Sequence, residues 1–224
     1  MISVIFAGAG SGKRFGNRPK AFFRLGGREL IYYSVENFCP VADEMVAVLP
    51  AGCEKEWEAK LGVTCPGIRV AAGGSHRQDS VSNGLEMLSD GEGIVLVHDV
   101  ARPFLSSALL ERIISAAEKY GACVPCTALS DTVKEAEGPF VGRTLDRSRL
   151  FQVQTPQAFR KDILRNAYRQ ACVSGFYGSD DSILVERTDT RVYLVEGERE
   201  NIKITYPDDL QLANIILEKW KKAE

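Results

Sequence analysis

Residues 2–7, ISVIFA, form an almost unbroken apolar run that leads directly into Gly8, Gly10 and Gly12. A short apolar run without polar alternation suits a strand covered on both faces. The same texture continues along the chain. Helical spacing over 28–38 precedes a strand at 43–50, a short helix over 53–62 ending at Gly62, and a strand at 68–72. A helix over 75–90, a strand at 93–99, a helix over 105–121 ending at Gly121 and a strand at 122–129 follow. Apolar strands alternating with helices predict an α/β fold, a mostly parallel sheet with helices on both faces. Ligands of such sheets collect beyond the carboxyl ends of the strands. The informative loops are therefore those after Ala7, Ala72 and His98.

Beyond residue 128 the texture changes. Residues 130–154 are rich in β formers and turn residues without helical periodicity, which predicts a β-excursion with exposed edges, open to pairing with another chain. A helix over 161–175, strands at 192–197 and 201–205, and an amphipathic helix from Pro207 close the chain. At 224 residues the chain suits one domain, 1–224, carrying 130–154 as an arm.

Net charge is −2, which argues against a nucleic-acid partner. The start, MISVIFAG, is too short for a membrane span and lacks a signal-peptide cleavage pattern, and no later apolar run reaches about 18 residues. The expectation is a cytoplasmic protein without a membrane partner. Six cysteines are scattered through a chain too large to need disulfide staples. Cys123 and Cys126 form a C-x-x-C, but on a strand positions three apart face opposite ways, and no second pair lies nearby to complete a zinc site.

The densest chemistry lies at residues 7–22, AGAGSGKRFGNRPKAF. Its glycines let successive N–H groups converge on phosphate oxygens. Lys13, Arg14, Arg18 and Lys20 supply four cations within eight residues, as an anionic transition state and a pyrophosphate leaving group require. Neither a Walker A loop nor a dinucleotide fingerprint is present: Ala7 and Arg14 occupy the outer Walker positions, and Gly8-x-Gly10 is followed by Lys13.

Asp99 and Arg102, in VHDVARPF, sit just past an apolar strand. They suit hydroxyl and phosphate recognition, or an ion pair capping the loop. His98 lacks any companion at metal-ligand spacing and reads as packed. In GGSHRQDSV, Gly73 and Gly74 permit approach to a flat base, with Arg77 and Ser80 as polar handles, or simply a capped helix start. Thr132, Arg147, Thr155 and Ser179 are further polar candidates. Lys203, set among Ile202, Ile204 and Thr205, requires an anionic partner if it faces inward.

Taken in order, A-G-x-G-x-G-K-R-F-G, P-K, G-G-x-x-R-x-x-S-V, V-H-D-x-A-R-P, D-T-V-K, Q-T-P-Q-A-F and N-I-K-I-T resemble the 2-C-methyl-D-erythritol 4-phosphate cytidylyltransferase family over nearly the whole chain. The ribitol-5-phosphate cytidylyltransferases are near relatives. The resemblance implies a Rossmann-like sheet of the nucleotide-diphospho-sugar transferase type, with the 130–154 arm clasping a second subunit. It implies CMP transfer from CTP to methylerythritol phosphate in non-mevalonate isoprenoid synthesis, with Mg²⁺ held mainly by the CTP phosphates and no dedicated protein metal site. Arg14 and Lys20 would stabilise charge on the α-phosphate and pyrophosphate, beside the Gly10 and Gly12 backbone. Gly8, Ala9, Gly74, Ser75 and Ser80 would hold cytosine and ribose, and Asp99 and Arg102 the polyol. Arg147 and Lys203, with Thr132, Thr155 and Ser179, would position the acceptor, the arm residues serving the neighbouring subunit. Lys13 and Arg18 read as solvated neighbours. A non-catalytic CTP sensor on the same fold is the alternative from another class. Three features depart from the family pattern: Gly8 replaces an alanine, Ser179 replaces a threonine, and the segment from Arg14 to Lys20 is short.

Overall fold

The computed structural model describes residues 1–10, 12 and 19–222. The chain runs β1 (Ile2–Ala7), the small hairpin β2 (Arg24–Leu25) and β3 (Arg28–Glu29), α1 (Leu30–Phe38), β4 (Glu44–Leu49), α2 (Glu54–Thr64), β5 (Arg69–Ala72), α3 (Arg77–Met87) and β6 (Ile94–Asp99). It continues with α4 (Ser107–Tyr120), β7 (Ala122–Ala128), β8 (Lys134–Glu137), β9 (Phe140–Thr144), β10 (Phe151–Val153), β11 (Gln157–Arg160), α5 (Lys161–Ser174), α6 (Ser182–Glu186), β12 (Tyr193–Glu196) and α7 (Asp209–Lys221).

The main sheet has the order β10-β7-β11-β6-β1-β4-β5, with β12 pairing β7. The β6-β1-β4-β5 half is parallel throughout, in register Ala7↔Asp99 and Ala7↔Val48. Its strands bury both faces: Val4 and Phe6 join one core layer, while Ile5 joins the opposite layer beside Val81 and Leu164. β11 runs antiparallel to both β6 and β7, because the chain re-enters the sheet from the far end of the excursion. The excursion leaves as the two-stranded β8–β9 arm, whose residues are all exposed, Phe140 at 77% and Val141 at 63%.

Helix ends follow their local chemistry. Leu109 N–H donates to Ser106 Oγ at the start of α4, and Gly121 closes that helix at φ 81°, where a side chain would be strained. Three expectations are corrected. Helix α2 runs through Gly62 to Thr64, since one glycine costs only about 1 kcal/mol within a helix. Residues 201–205 form no strand and are tied to the sheet edge by Ile204 N–H to Ala101 O at 2.8 Å. Cys39 and Cys65, at the carboxyl ends of adjacent helices α1 and α2, are joined as a disulfide with Cα atoms 6.0 Å apart. Cys123 and Cys126 are buried in β7 as unpaired thiols, and burial pushes the Cys123 thiol up to about 12.

Candidate active site at the carboxyl edge of the sheet

The loops after β1, β5 and β6 meet because the strands that carry them are parallel neighbours. Gly8 N–H donates to Val48 O at 2.9 Å, Gly73 N–H to Leu49 O at 2.7 Å, and Val100 N–H to Ala7 O at 3.3 Å. This packing leaves no room for side chains. A Cβ on Gly8 would lie 2.8 Å from Leu49 Cδ2, and one on Gly73 would lie 2.1 Å from Ala9 Cβ. Among the described residues a cleft of about 390 Å³ opens there, within the usual range for small-ligand sites. Gly8, Ala9, Gly10, Gly12, Lys20, Gly74, Ser75, Ser80, Asp99 and Lys203 all line it, as does Arg77.

Ser80 knits one wall of the cleft. Its hydroxyl accepts from Gly74 N–H and donates to His76 O, both at 3.0 Å. Lys20 stands on a single 3₁₀ turn, Lys20–Phe22, fixed by Phe22 stacking on Trp57 at 4.4 Å. Its ammonium donates to Ile204 O at 3.3 Å, next to Lys203.

Asp99 is the only carboxylate lining the described wall. Arg77 Nε donates to Oδ1 at 3.1 Å and Lys203 Nζ to Oδ2 at 2.5 Å. Burial alone would raise the Asp99 pKa, but Arg77, Lys203 and Arg102 outweigh it and hold the group well below the usual carboxylate range. Lys203 therefore has the anionic partner its position requires, and 42% of its side chain is still exposed to the cleft.

Thr155 and His98 stand behind Asp99. Asp99 N–H donates to Thr155 Oγ1 at 3.0 Å, and Thr155 Oγ1 lies 3.2 Å from His98 Nδ1. His98 Nε2 faces Arg102 O at 3.0 Å. A carbonyl only accepts, so Nε2 carries the proton and Nδ1 accepts from the Thr155 hydroxyl. Burial lowers the His98 pKa to about 4, which keeps the ring neutral. Arg102 donates through Nη1 to Asn201 O at 2.7 Å, with Nε unpartnered. With Lys203 it lines a second cavity, of about 750 Å³, beside Ser130 and Arg199. Lys203 thus joins both cavities.

Thr132, Arg147 and Ser179 are exposed and lie outside both walls of their own chain. Arg147 donates to Ser130 O on the arm. Lys13, Arg14 and Arg18 lie outside the described residues. Asp181 and Tyr168 were not anticipated: Arg77 Nη2 donates to Asp181 Oδ2 at 2.8 Å, and Tyr168 OH to Asp181 Oδ1 at 2.6 Å. The GSDDS string held a hint of Asp181. Tyr168, one aromatic in an amphipathic helix, offered no such signal.

A parallel sheet whose first strand enters a glycine turn, facing two lysines and a carboxylate, has the arrangement of a nucleotidyltransferase. The family model "IspD: 2-C-methyl-D-erythritol 4-phosphate cytidylyltransferase" matches residues 1–219. Two bacterial proteins with that enzyme name are similar throughout. One from Geobacillus kaustophilus is 43% identical over 96% of each chain, and one from Thermus thermophilus is 42% identical over 98% of each. The crystal structure of the enzyme of that name from Thermus thermophilus superposes with a TM-score of 0.82, at 39% identity over 96% of this chain and 98% of that one. A 4-diphosphocytidyl-2C-methyl-D-erythritol synthase structure from Anaerococcus prevotii gives 0.86, at 33% identity over 97% and 98%. The chain belongs to the 2-C-methyl-D-erythritol 4-phosphate cytidylyltransferase family and is an enzyme of the nucleotidyltransferase class.

Proposed function

We propose that this chain transfers CMP from CTP to 2-C-methyl-D-erythritol 4-phosphate, releasing pyrophosphate. One observation carries the reading beyond the family: Lys20, on the 3₁₀ turn Lys20–Phe22, and Lys203, paired to Asp99, stand on one cleft wall, with Lys20 bound to the residue next to Lys203. CTP would lie with its base against Gly8, Ala9, Gly74, Ser75 and Ser80 and its phosphates along Gly10, Gly12, Arg14 and Lys20. The acceptor polyol would face Asp99 and Arg102, with its phosphate toward Lys203.

An acceptor phosphate oxygen forms the new bond to the α-phosphorus. The bond from that phosphorus to the β-phosphate's bridging oxygen breaks, and its electron pair leaves with pyrophosphate. The acceptor phosphate is already anionic at neutral pH, since its second ionisation lies near 6. No general base is required, in keeping with a neutral His98 locked into the wall. Catalysis consists of alignment and charge neutralisation.

Mg²⁺ would be carried by the CTP phosphates, where it offsets their charge. Both Asp99 oxygens are engaged by cations, which supports an ion carried on the phosphates.

The β8–β9 excursion within residues 130–154 forms, in this proposal, the arm of a homodimer, with Thr132 and Arg147 at the neighbour's acceptor site, while β10 returns to the main sheet. The exposed Phe140 and Val141 and the position of Arg147 outside its own cleft support it. Ser179 and Thr155 complete the acceptor side, Thr155 by holding Asp99. The proposed location is the cytoplasm. No helix among the described residues is long and apolar enough to cross a membrane. In a reducing compartment Cys39 and Cys65 would stand as two thiols.

Pyrophosphate release with CTP, Mg²⁺ and each polyol phosphate tests the assignment. Turnover with methylerythritol phosphate should far exceed that with ribitol 5-phosphate. The reverse order would reassign the acceptor, and CTP binding without turnover on either would leave a sensor.

A further inference from the structure

Asp99 is tied to Lys203 on one side, and that contact alone would leave it loose. An ammonium is a compact point charge on a flexible stem, and it can follow a pivoting carboxylate without losing its bond. The other oxygen meets a different restraint. Arg77 reaches Asp99 Oδ1 through Nε and Asp181 Oδ2 through Nη2, at 3.1 and 2.8 Å. Its planar fork cannot turn toward one carboxylate without abandoning the other.

Asp181 is fixed in turn. Its side chain is buried, Tyr168 OH donates to Oδ1 at 2.6 Å, and its own N–H donates to Gln157 Oε1 at 3.1 Å. Gln157 lies on β11 and Tyr168 on α5, so the orientation of Asp99 is referred to the sheet and to a helix remote from the cleft. The direct pairs are matched as well: Arg77 and Lys203, two cations, bond the two carboxylates Asp99 and Asp181, and Lys203 shares its carboxylate instead of neutralising it alone.

We propose that Arg77 is a positioning residue that fixes the Asp99 carboxylate for the acceptor's hydroxyls, and that Asp181 and Tyr168 hold Arg77 for that task. The inference rests on the reading of Asp99 as an acceptor contact. Neither Asp181 nor Tyr168 lines the nucleotide cleft. Loosening them acts on Asp99 through Arg77.

The test is steady-state kinetics on the full-length enzyme, with the acceptor and CTP varied separately and the thermal midpoint measured for every variant. Removing Arg77 outright leaves Asp181 buried and unpaired and risks unfolding, so Tyr168→Phe, which deletes one hydroxyl and keeps the ring, is the principal variant. It should raise the acceptor KM several-fold and leave the CTP KM unchanged. Asp181→Asn should raise the acceptor KM further, and Arg77→Lys should fail to restore it, because one ammonium cannot bridge both carboxylates. Asp99→Asn is the control for the underlying reading. If it raises the acceptor KM while Tyr168→Phe and Asp181→Asn do not, the relay is refuted and the acceptor contact stands. If Asp99→Asn leaves the acceptor KM unchanged, the acceptor contact itself falls. Parallel rises in both KM values for Tyr168→Phe would mark a general structural role and overturn the proposal.

Discussion

Replacing Gly73 by alanine puts a methyl group 2.1 Å from the Ala9 methyl, where two carbons are comfortable at roughly 3.5–4.0 Å. Neither atom can rotate away, because each is fixed directly to its backbone. The loop after β5 and the turn after β1 must therefore part by more than about 1 Å. Both are held to the strands beneath them, by Gly73 N–H to Leu49 O at 2.7 Å and Gly8 N–H to Val48 O at 2.9 Å. Overpacking of this kind costs about 1–3 kcal/mol, and two anchored backbones place it near the upper end. At about 2–4 °C per kcal/mol for a chain of this length, Tm should fall by about 6–12 °C. CTP affinity should fall too, because the displaced segments form the proposed base pocket. The double variant Gly73→Ala/Ala9→Gly removes the obstacle. The remaining neighbours of the new methyl, Leu49 O and Ser80 Oγ, lie at 3.3 Å, which small shifts absorb. The double variant should then match Ala9→Gly alone to within about 1 kcal/mol, a coupling of roughly 2 kcal/mol between the two sites. Urea unfolding of the four proteins measures it. An unaltered Tm for Gly73→Ala, or a double variant no more stable than the single, would refute the close approach of these loops.

Lys203→Met should lower kcat roughly 10²-fold while Tm changes little, since a partly exposed ammonium is removed from the proposed transition-state contacts, as pyrophosphate release and a thermal scan would show. At the opposite edge of the sheet, burial pushes the Glu44 pKa up, but bonds from Ser89, Ser3 and Lys161 prevail and lower it to about 2. A depressed carboxylate stabilises the fold above its unfolded pKa and loses that contribution on acidification, here about 3 kcal/mol between roughly pH 4.5 and 2. Glu44→Gln should be destabilised at pH 7 and approach the wild type in stability at the acid end, in urea titrations across that range. Lys203→Ala and Arg147→Ala should each be nearly inactive as pure dimers, yet regain about a quarter of wild-type activity when unfolded and refolded together in equal amounts. Half the dimers are then mixed, and one of their two sites is intact. No recovery would place Arg147 outside a shared site.

The parallel half of the sheet was legible because its strands are largely apolar on both faces and alternate with stretches of helical spacing, although Gly62 does not stop α2. β11 was not: strand direction depends on which edge the returning chain meets, and nothing within Gln157–Arg160 records that. The strand expected at 201–205 does not form: Ile204 N–H bonds Ala101 O in place of a ladder, and the side-chain pattern of a strand and of an unladdered segment is the same. Helix α6, five residues long, is too short to show a 3.6-residue period. The glycine turn, Asp99 and Lys203 were legible because their chemistry is local: close approach, a charge at a strand end, a lysine among isoleucines. The tie from Arg77 to Asp181 spans 104 positions and is made by the fold alone.

Two lysine–carboxylate pairs occupy opposite ends of the sheet, and their difference shows what makes such a pair functional. Lys161 is sealed, 1% exposed, with its ammonium spent on Glu44 Oε1 at 3.2 Å and Ser89 O at 3.1 Å. Every charge there is met within the protein, and the pair can do nothing but hold β4 to the start of α5. Lys203 is bonded as tightly to Asp99, yet 42% of its side chain is open to the cleft. Its carboxylate is shared with Arg77, which leaves part of the lysine's field for an incoming anion. A buried ion pair of the first kind contributes little net stability over an apolar substitute, and breaking it is costly. Under the proposed function, the second kind gives up some of its own neutralisation so that substrate can supply the rest. Placement at the carboxyl edge decides between them, because there the strands end in loops spread by crossovers, while at the amino edge Ser3, Glu44 and Ser89 close over the lysine.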